Sequence, residues 1–193
     1  MSVPAVHDQP AERPVLARRV VARGRVQDFV AETVDLGPAG TVVREFTDHP
    51  GAVGVMAMDD AGRILLQRQY RHPVRAELWE PPAGLLDVAG EDPLAAAKRE
   101  LAEEADLVAE DWRRLVRFYT TPGGCDEQIA MFLARDLTPV AGGAIFARQD
   151  EEVDLVPAWL AMDEAADLVL SGALASPTAI VGILALVRAA RRP

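Results

Sequence analysis

Before about residue 75 the hydrophobic positions come in short alternating or continuous runs, helical spacing holds from residue 92 to about 108, and strand-like runs return before two final helices. Three early segments, VLARRVVARG (15–24), RVQDFVAETVDL (25–36) and TVVREFT (41–47), are separated by Gly24 and GPAG (37–40). They predict a small antiparallel sheet of about three strands over residues 15–48, behind a disordered tail at 1–14 that carries Pro4, Pro10 and Pro14. DHPG (48–51) marks a candidate boundary to a second region, 49–193. There AVGVMAM (52–58) reads as a buried strand, DDAG (59–62) as a hairpin turn and RILLQRQYR (63–71) as the partner strand. Further strands are predicted in WRRLVRFYT (112–120), EQIAMFLAR (127–135) and VDLVPAWL (153–160). Two helices follow, one around Met162 to Leu170, the other from a Ser176 cap and Pro177 to about Ala190. Strands on both sides of a central helix, with helices at the end, predict an α+β fold or an α/β/α layered domain.

The central helix carries the chemistry. Asp92 can cap it and Pro93 fits its first position. Leu94, Ala97, Leu101, Ala105 and Val108 follow the 3.6-residue period and predict the face that packs on the core. Glu100, Glu103 and Glu104 fall within an arc of about 100° beside that stripe. These acids crowd the end of the helix that already carries partial negative charge, and Lys98 and Arg99 are the only cations on it. A solvated acidic face is one explanation. A hard divalent cation, Mg²⁺ or Mn²⁺, explains the crowding better, because carboxylate oxygens suit such ions. The three histidines, His7, His49 and His72, have no spacing that suits zinc.

Composition narrows the partners. A length of 193 residues, half of them hydrophobic, suits one domain of ordinary size with a small appendage. The longest apolar run, AIVGILALV (179–187), is about half a membrane span, and the N-terminus lacks a signal-peptide pattern. A single cysteine, Cys125, allows no intramolecular disulfide and fits a cytoplasmic location. The net charge of −10 argues against nucleic acid as a partner but leaves room for a small phosphorylated ligand beside arginine or a metal ion.

The stretch from Gly84 to Leu107 resembles a Nudix box, G-x5-E-x7-R-E-U-x-E-E-x-G-U with U aliphatic. Gly84, Glu91, Arg99, Glu100, Leu101, Glu103, Glu104 and Leu107 match, and the seven residues between Glu91 and Arg99 are kept. Two departures stand out: six residues rather than five separate Gly84 from Glu91, and Asp106 stands where the pattern has glycine. Asp is among the few residues that tolerate the left-handed conformation a helix-ending glycine adopts. ELWEPPAG (77–84), TPGGCDE (121–127) and Pro122, sixteen residues past Asp106, are similar to the ADP-ribose pyrophosphatase branch, which also has a small N-terminal sheet.

The resemblance implies a Nudix fold, an α/β/α sandwich with a mixed sheet, and Mg²⁺-dependent hydrolysis (Mn²⁺ possible) of ADP-ribose or a related ADP-sugar. It implies metal ligation by Glu100, Glu103, Glu104 and the Ala83 carbonyl, with Arg99 and Glu91 supporting them. The general base would come from the late acidic stretch RQDEEVDLVPAW, with Glu152 preferred to Glu151. Substrate contacts would come from Arg71, Glu80, Gly123, Gly124 and Glu127, whereas Trp79 reads as core and Cys125 as passive. Branch members often form homodimers that exchange the N-terminal sheet, and the partner expected here is a second copy, with neither nucleic acid nor membrane. Two alternatives accompany this reading: a Nudix hydrolase of another NDP-sugar or nucleotide, and a non-catalytic module that senses ADP-ribose.

Overall fold

The computed structural model describes residues 6–142 and 155–190, and the chain divides into two compact units. The first comprises residues 1–49 with 123–126, the second 50–122 with 127–193. In the first unit β1 (Val15–Arg23), β2 (Asp28–Asp35) and β3 (Thr41–Asp48) form an antiparallel sheet in that order. Gly37 and Gly40 turn the β2–β3 corner at positive φ, which glycine adopts without a Cβ penalty. Arg18 on β1 ties the strands together by pairing with Glu32 on β2 (2.6 Å) and Asp48 on β3. Val30 and Ala31 are buried, while every residue of β1 is exposed.

The second unit contains β4 (Ala52–Ala57), β5 (Arg63–Arg71), β6 (Ala76–Glu80), β7 (Ala83–Leu85), α1 (Pro93–Ala105) and β8 (Leu107–Tyr119). β9 (Gln128–Pro139), β10 (Val156–Ala161), α2 (Met162–Leu170) and α3 (Pro177–Ala190) follow. The strands form a mixed four-stranded sheet, β7-β4-β9-β8, and an antiparallel three-stranded sheet, β10-β5-β6. Strand β4 lies parallel to β9 and antiparallel to β7, and all six of its residues are buried. A central strand covered on both faces carries a continuous apolar run, and AVGVMA is one.

Period-two alternation sorts the core into two layers. Ala52 and Met56 of β4, with Ile129, Met131 and Leu133 of β9, pack with Ala165, Ala179, Ile183 and Leu186 of α2 and α3. The intervening Val53, Val55 and Ala57, with Ala130, Phe132 and Ala134, pack instead with Ala96, Ala97 and Leu101 of α1. Helix α1 therefore covers one face of the mixed sheet and α2–α3 the other: the α/β/α arrangement expected. On the α3 side, a Cβ on Gly54 would meet Met131 Sδ at 2.6 Å, and one on Gly182 would meet Met56 Sδ at 2.5 Å. Glycine at these two positions lets the methionines fill the layer.

Several expectations are corrected. DDAG does make a tight turn, with Gly62 N–H donating to the Asp59 carbonyl, but β4 and β5 are not sheet partners. They meet at one bridge, Met58–Ile64, and then diverge into different sheets, because both edges of β4 are taken by β7 and β9. Val108 is not on the helix: it lies in β8 and is exposed, since the helix stops at Ala105. Strands β6 and β7, in the stretch ELWEPPAGL, carry no alternating signature and were not predicted. Among the described residues no helix is long and apolar enough to cross a membrane.

Candidate active site

The site is built on the C-terminal half of α1 and on β7, which pairs with β4 beneath it. The Asp92 carboxylate starts the helix by accepting the Leu94 and Ala95 N–H groups at 2.9 and 3.3 Å. Asp106 ends it in the left-handed region (φ 55°, ψ 33°), its N–H donating to the Ala102 carbonyl at 3.2 Å. The aspartate thus performs the terminating role of the box glycine. Ala96, Ala97 and Leu101 anchor the opposite side of the helix in the core, which fixes the rotation that presents the acids.

Glu100 is only 8% exposed and lies against Gly84 of β7. A Cβ at Gly84 would overlap the Glu100 carboxylate, so the glycine is required by this close approach. One turn on, Glu104 Oε2 accepts the Ala83 N–H at 3.0 Å. The i,i+4 pair of acids is thereby seated on consecutive residues of one short strand. The Glu104 carbonyl accepts a hydrogen bond from Gln67 Nε2 of β5 at 2.9 Å.

Arg99 organises the remaining acids. Its guanidinium donates to both oxygens of Glu91 (3.2 and 3.1 Å), to Glu100 Oε1 (2.6 Å) and to Glu103 Oε2 (3.1 Å). The hydrogen bonds to Glu91, and then the nearby Glu100 and Glu103, raise its pKa further above an already high value, against the opposing effect of partial burial. It stays charged at any working pH. Among the described residues one cation faces three carboxylates here and Glu104 adds a fourth, so negative charge outnumbers positive among them. A divalent ion is a compensating charge for such a cluster, and the available donors (three glutamates and a main-chain carbonyl) are the oxygens that Mg²⁺ and Mn²⁺ prefer. By donor chemistry the residues fit such an ion. Among the described residues no three acidic, histidine or cysteine side chains converge as a ready-made cage, because Arg99 and the Ala83 N–H hold the carboxylates.

A second cluster lies on the β5–β6 face. Arg71 pairs with the buried Glu80 at 2.6 and 3.3 Å, so two residues expected to contact substrate engage one another. Gln67, Arg71, Glu80, Ala83 and Glu104 line a cavity of about 10 Å³, which brings this pair beside the end of α1. An adjoining cavity of about 280 Å³ is lined by Gln67, Glu104, Asp106, Leu155 and Trp159 among others. Trp79 packs on the core, as its sequence reading had it. Glu127 accepts the Thr120 hydroxyl at 2.7 Å. Gly123 and Gly124 belong to the first unit, where Gly124 accepts the Thr47 N–H at 3.0 Å, and a Cβ on either would meet nothing within 4 Å. Glu151 and Glu152 lie outside the described residues. The residue that sequence reasoning missed is Gln67, whose only signal was a polar side chain at the end of the buried run ILLQ.

Comparison with known proteins places this geometry. The chain is 44% identical over 155 residues to the ADP-ribose pyrophosphatase of Mycobacterium tuberculosis, spanning 80% of this chain and 73% of that protein. It is 39% identical over 127 residues to the ADP-ribose pyrophosphatase of Bacillus subtilis, spanning 66% and 68%. A crystal structure of an ADP compounds hydrolase shares the fold with a TM-score of 0.76 at 20% identity, over 94% of this chain and 96% of that one. The NUDIX domain model matches residues 48–178, and the chain belongs to the Nudix hydrolase family.

Proposed function

We propose that this protein hydrolyses the pyrophosphate bond of ADP-ribose, giving AMP and ribose 5-phosphate, or of a closely related ADP-sugar, with Mg²⁺ or Mn²⁺ as the cofactor. The observation that carries the reading is the seating of Glu100 and Glu104 on Gly84 and Ala83, with Arg99 spanning Glu91, Glu100 and Glu103. The identity to two ADP-ribose pyrophosphatases supports the substrate.

Glu100, Glu103, Glu104 and the Ala83 carbonyl would hold the cation. When bound, it supplies neutralisation of pyrophosphate oxygens, orientation of water and a lowered water pKa. Arg99 keeps the mutually repelling carboxylates in place and limits their freedom, which reduces the reorganisation needed on binding. Arg71 can turn a guanidinium edge towards a phosphate, in competition with Glu80, and its planar fork suits two phosphate oxygens. We assign the general base to Glu152, then Glu151, from the acidic stretch alone. Glu127 is a further proposed substrate contact, and Gly123 and Gly124 are proposed as such from the sequence alone.

We further place the protein in the cytoplasm as a homodimer. The single cysteine and the exposed Val15, Leu16, Val20 and Val21 of β1 support this. The test of the activity is a panel of ADP-ribose, other NDP-sugars, NADH and dinucleoside polyphosphates, each with Mg²⁺ and with Mn²⁺. ADP-ribose should turn over fastest, and hydrolysis of none of them would remove the reading.

A further inference from the structure

Gln67 sits on β5 with 4% of its surface exposed, between the core residue Leu65 and the Arg71–Glu80 pair on the same strand face. Its amide orientation is fixed. Nε2 donates to the Glu104 carbonyl at 2.9 Å, and the flipped amide would set two oxygens against each other. That leaves Oε1 buried, and among the described residues no donor reaches it. A buried amide oxygen without a partner is costly and calls for a ligand.

The cavity that Gln67 shares with Arg71, Glu80, Ala83 and Glu104 supplies the place. Its volume of about 10 Å³ is close to the minimum for a single water. A water there would find an acceptor in Gln67 Oε1, further acceptors in the Glu80 and Glu104 carboxylates, and a donor in Arg71. Gln67 reaches Glu104 directly through its main-chain carbonyl, and such a water would add a second, indirect link.

We propose that Gln67 is a positioning residue for the metal site: its NH₂ group restrains the last turn of α1 at Glu104, and its Oε1 holds an ordered water beside the Glu104 carboxylate. The inference rests on Glu104 being a metal ligand, as proposed above. Gln67→Met keeps the length of the side chain while removing both hydrogen bonds.

The test is Mn²⁺ binding to the substrate-free protein, followed by electron paramagnetic resonance, together with metal-free melting. Gln67→Met should weaken Mn²⁺ binding about tenfold, the loss typical of groups that orient ligands, while the metal-free melting temperature stays near wild type. Glu104→Gln is the control. If it leaves Mn²⁺ affinity unchanged, the metal reading itself fails. If it weakens binding and Gln67→Met does not, only the role of Gln67 is overturned. Should Gln67→Met fail to fold, a high-resolution crystal structure of the wild type with Mg²⁺ decides. A water bonded to Gln67 Oε1 beside Glu104 supports the proposal, and an oxygen left dry or bonded to protein contradicts it.

Discussion

The acids at the end of α1 and the acid of β6 solve the same problem in different ways. Glu80 is buried and is matched by the guanidinium of Arg71, one charge against one. On α1 one arginine serves Glu91, Glu100 and Glu103, while Glu104 accepts the Ala83 main-chain N–H. Burying like charges together is expensive unless they are compensated, and among the described residues one cation faces four carboxylates. Among the described residues the first arrangement matches one acid with one cation, and the second sets several acids around one cation. The difference separates a pair that can lend an arginine to a substrate from a cluster that can take up a cation.

The largest expected effect comes from reducing the charge of the cluster. Glu100→Gln preserves the shape packed on Gly84 but removes an anionic oxygen donor. We expect a loss of kcat/KM beyond the ~100-fold typical of supporting residues, measured on ADP-ribose at saturating Mg²⁺. Near-normal activity would mean that the charge excess is not what matters. Arg99→Lys tests the organiser: a single ammonium cannot reach three carboxylates as a guanidinium does. The expected result is a roughly 10–100-fold higher Mg²⁺ requirement, read from activity against Mg²⁺ concentration. Arg71→Lys probes the neutral pair and should have the smallest effect. A KM for ADP-ribose raised about tenfold, with kcat little changed, is expected from the lost bidentate contact. A fall in kcat with unchanged KM would instead move Arg71 into the chemistry.

Much of this was legible in the residues. The helix start at Asp92–Pro93, the acid spacing on α1 and the Pro177–Ala190 helix follow from capping chemistry and the 3.6-residue period, which are local. Asp106 was readable as a glycine substitute because few side chains tolerate a positive φ, and its φ of 55° agrees. Sheet pairing was less accessible. The turn at 59–62 looks like that of a hairpin, yet β4 takes β7 and β9, which are distant in sequence. Strand β7 has only three residues, too few for alternation to register, although it supports both Glu100 and Glu104. Gln67 was hidden for a similar reason: its importance lies in a contact 37 residues away, which no local pattern encodes.

On the function proposed above, the end of α1 works only with a divalent cation. The direct measurement is ADP-ribose hydrolysis by the full chain after exhaustive chelation, followed by stepwise return of Mg²⁺. No turnover is expected in the chelated protein, with recovery on added Mg²⁺ in the wild type but little recovery in Glu100→Gln. Undiminished turnover by the fully chelated protein would contradict it.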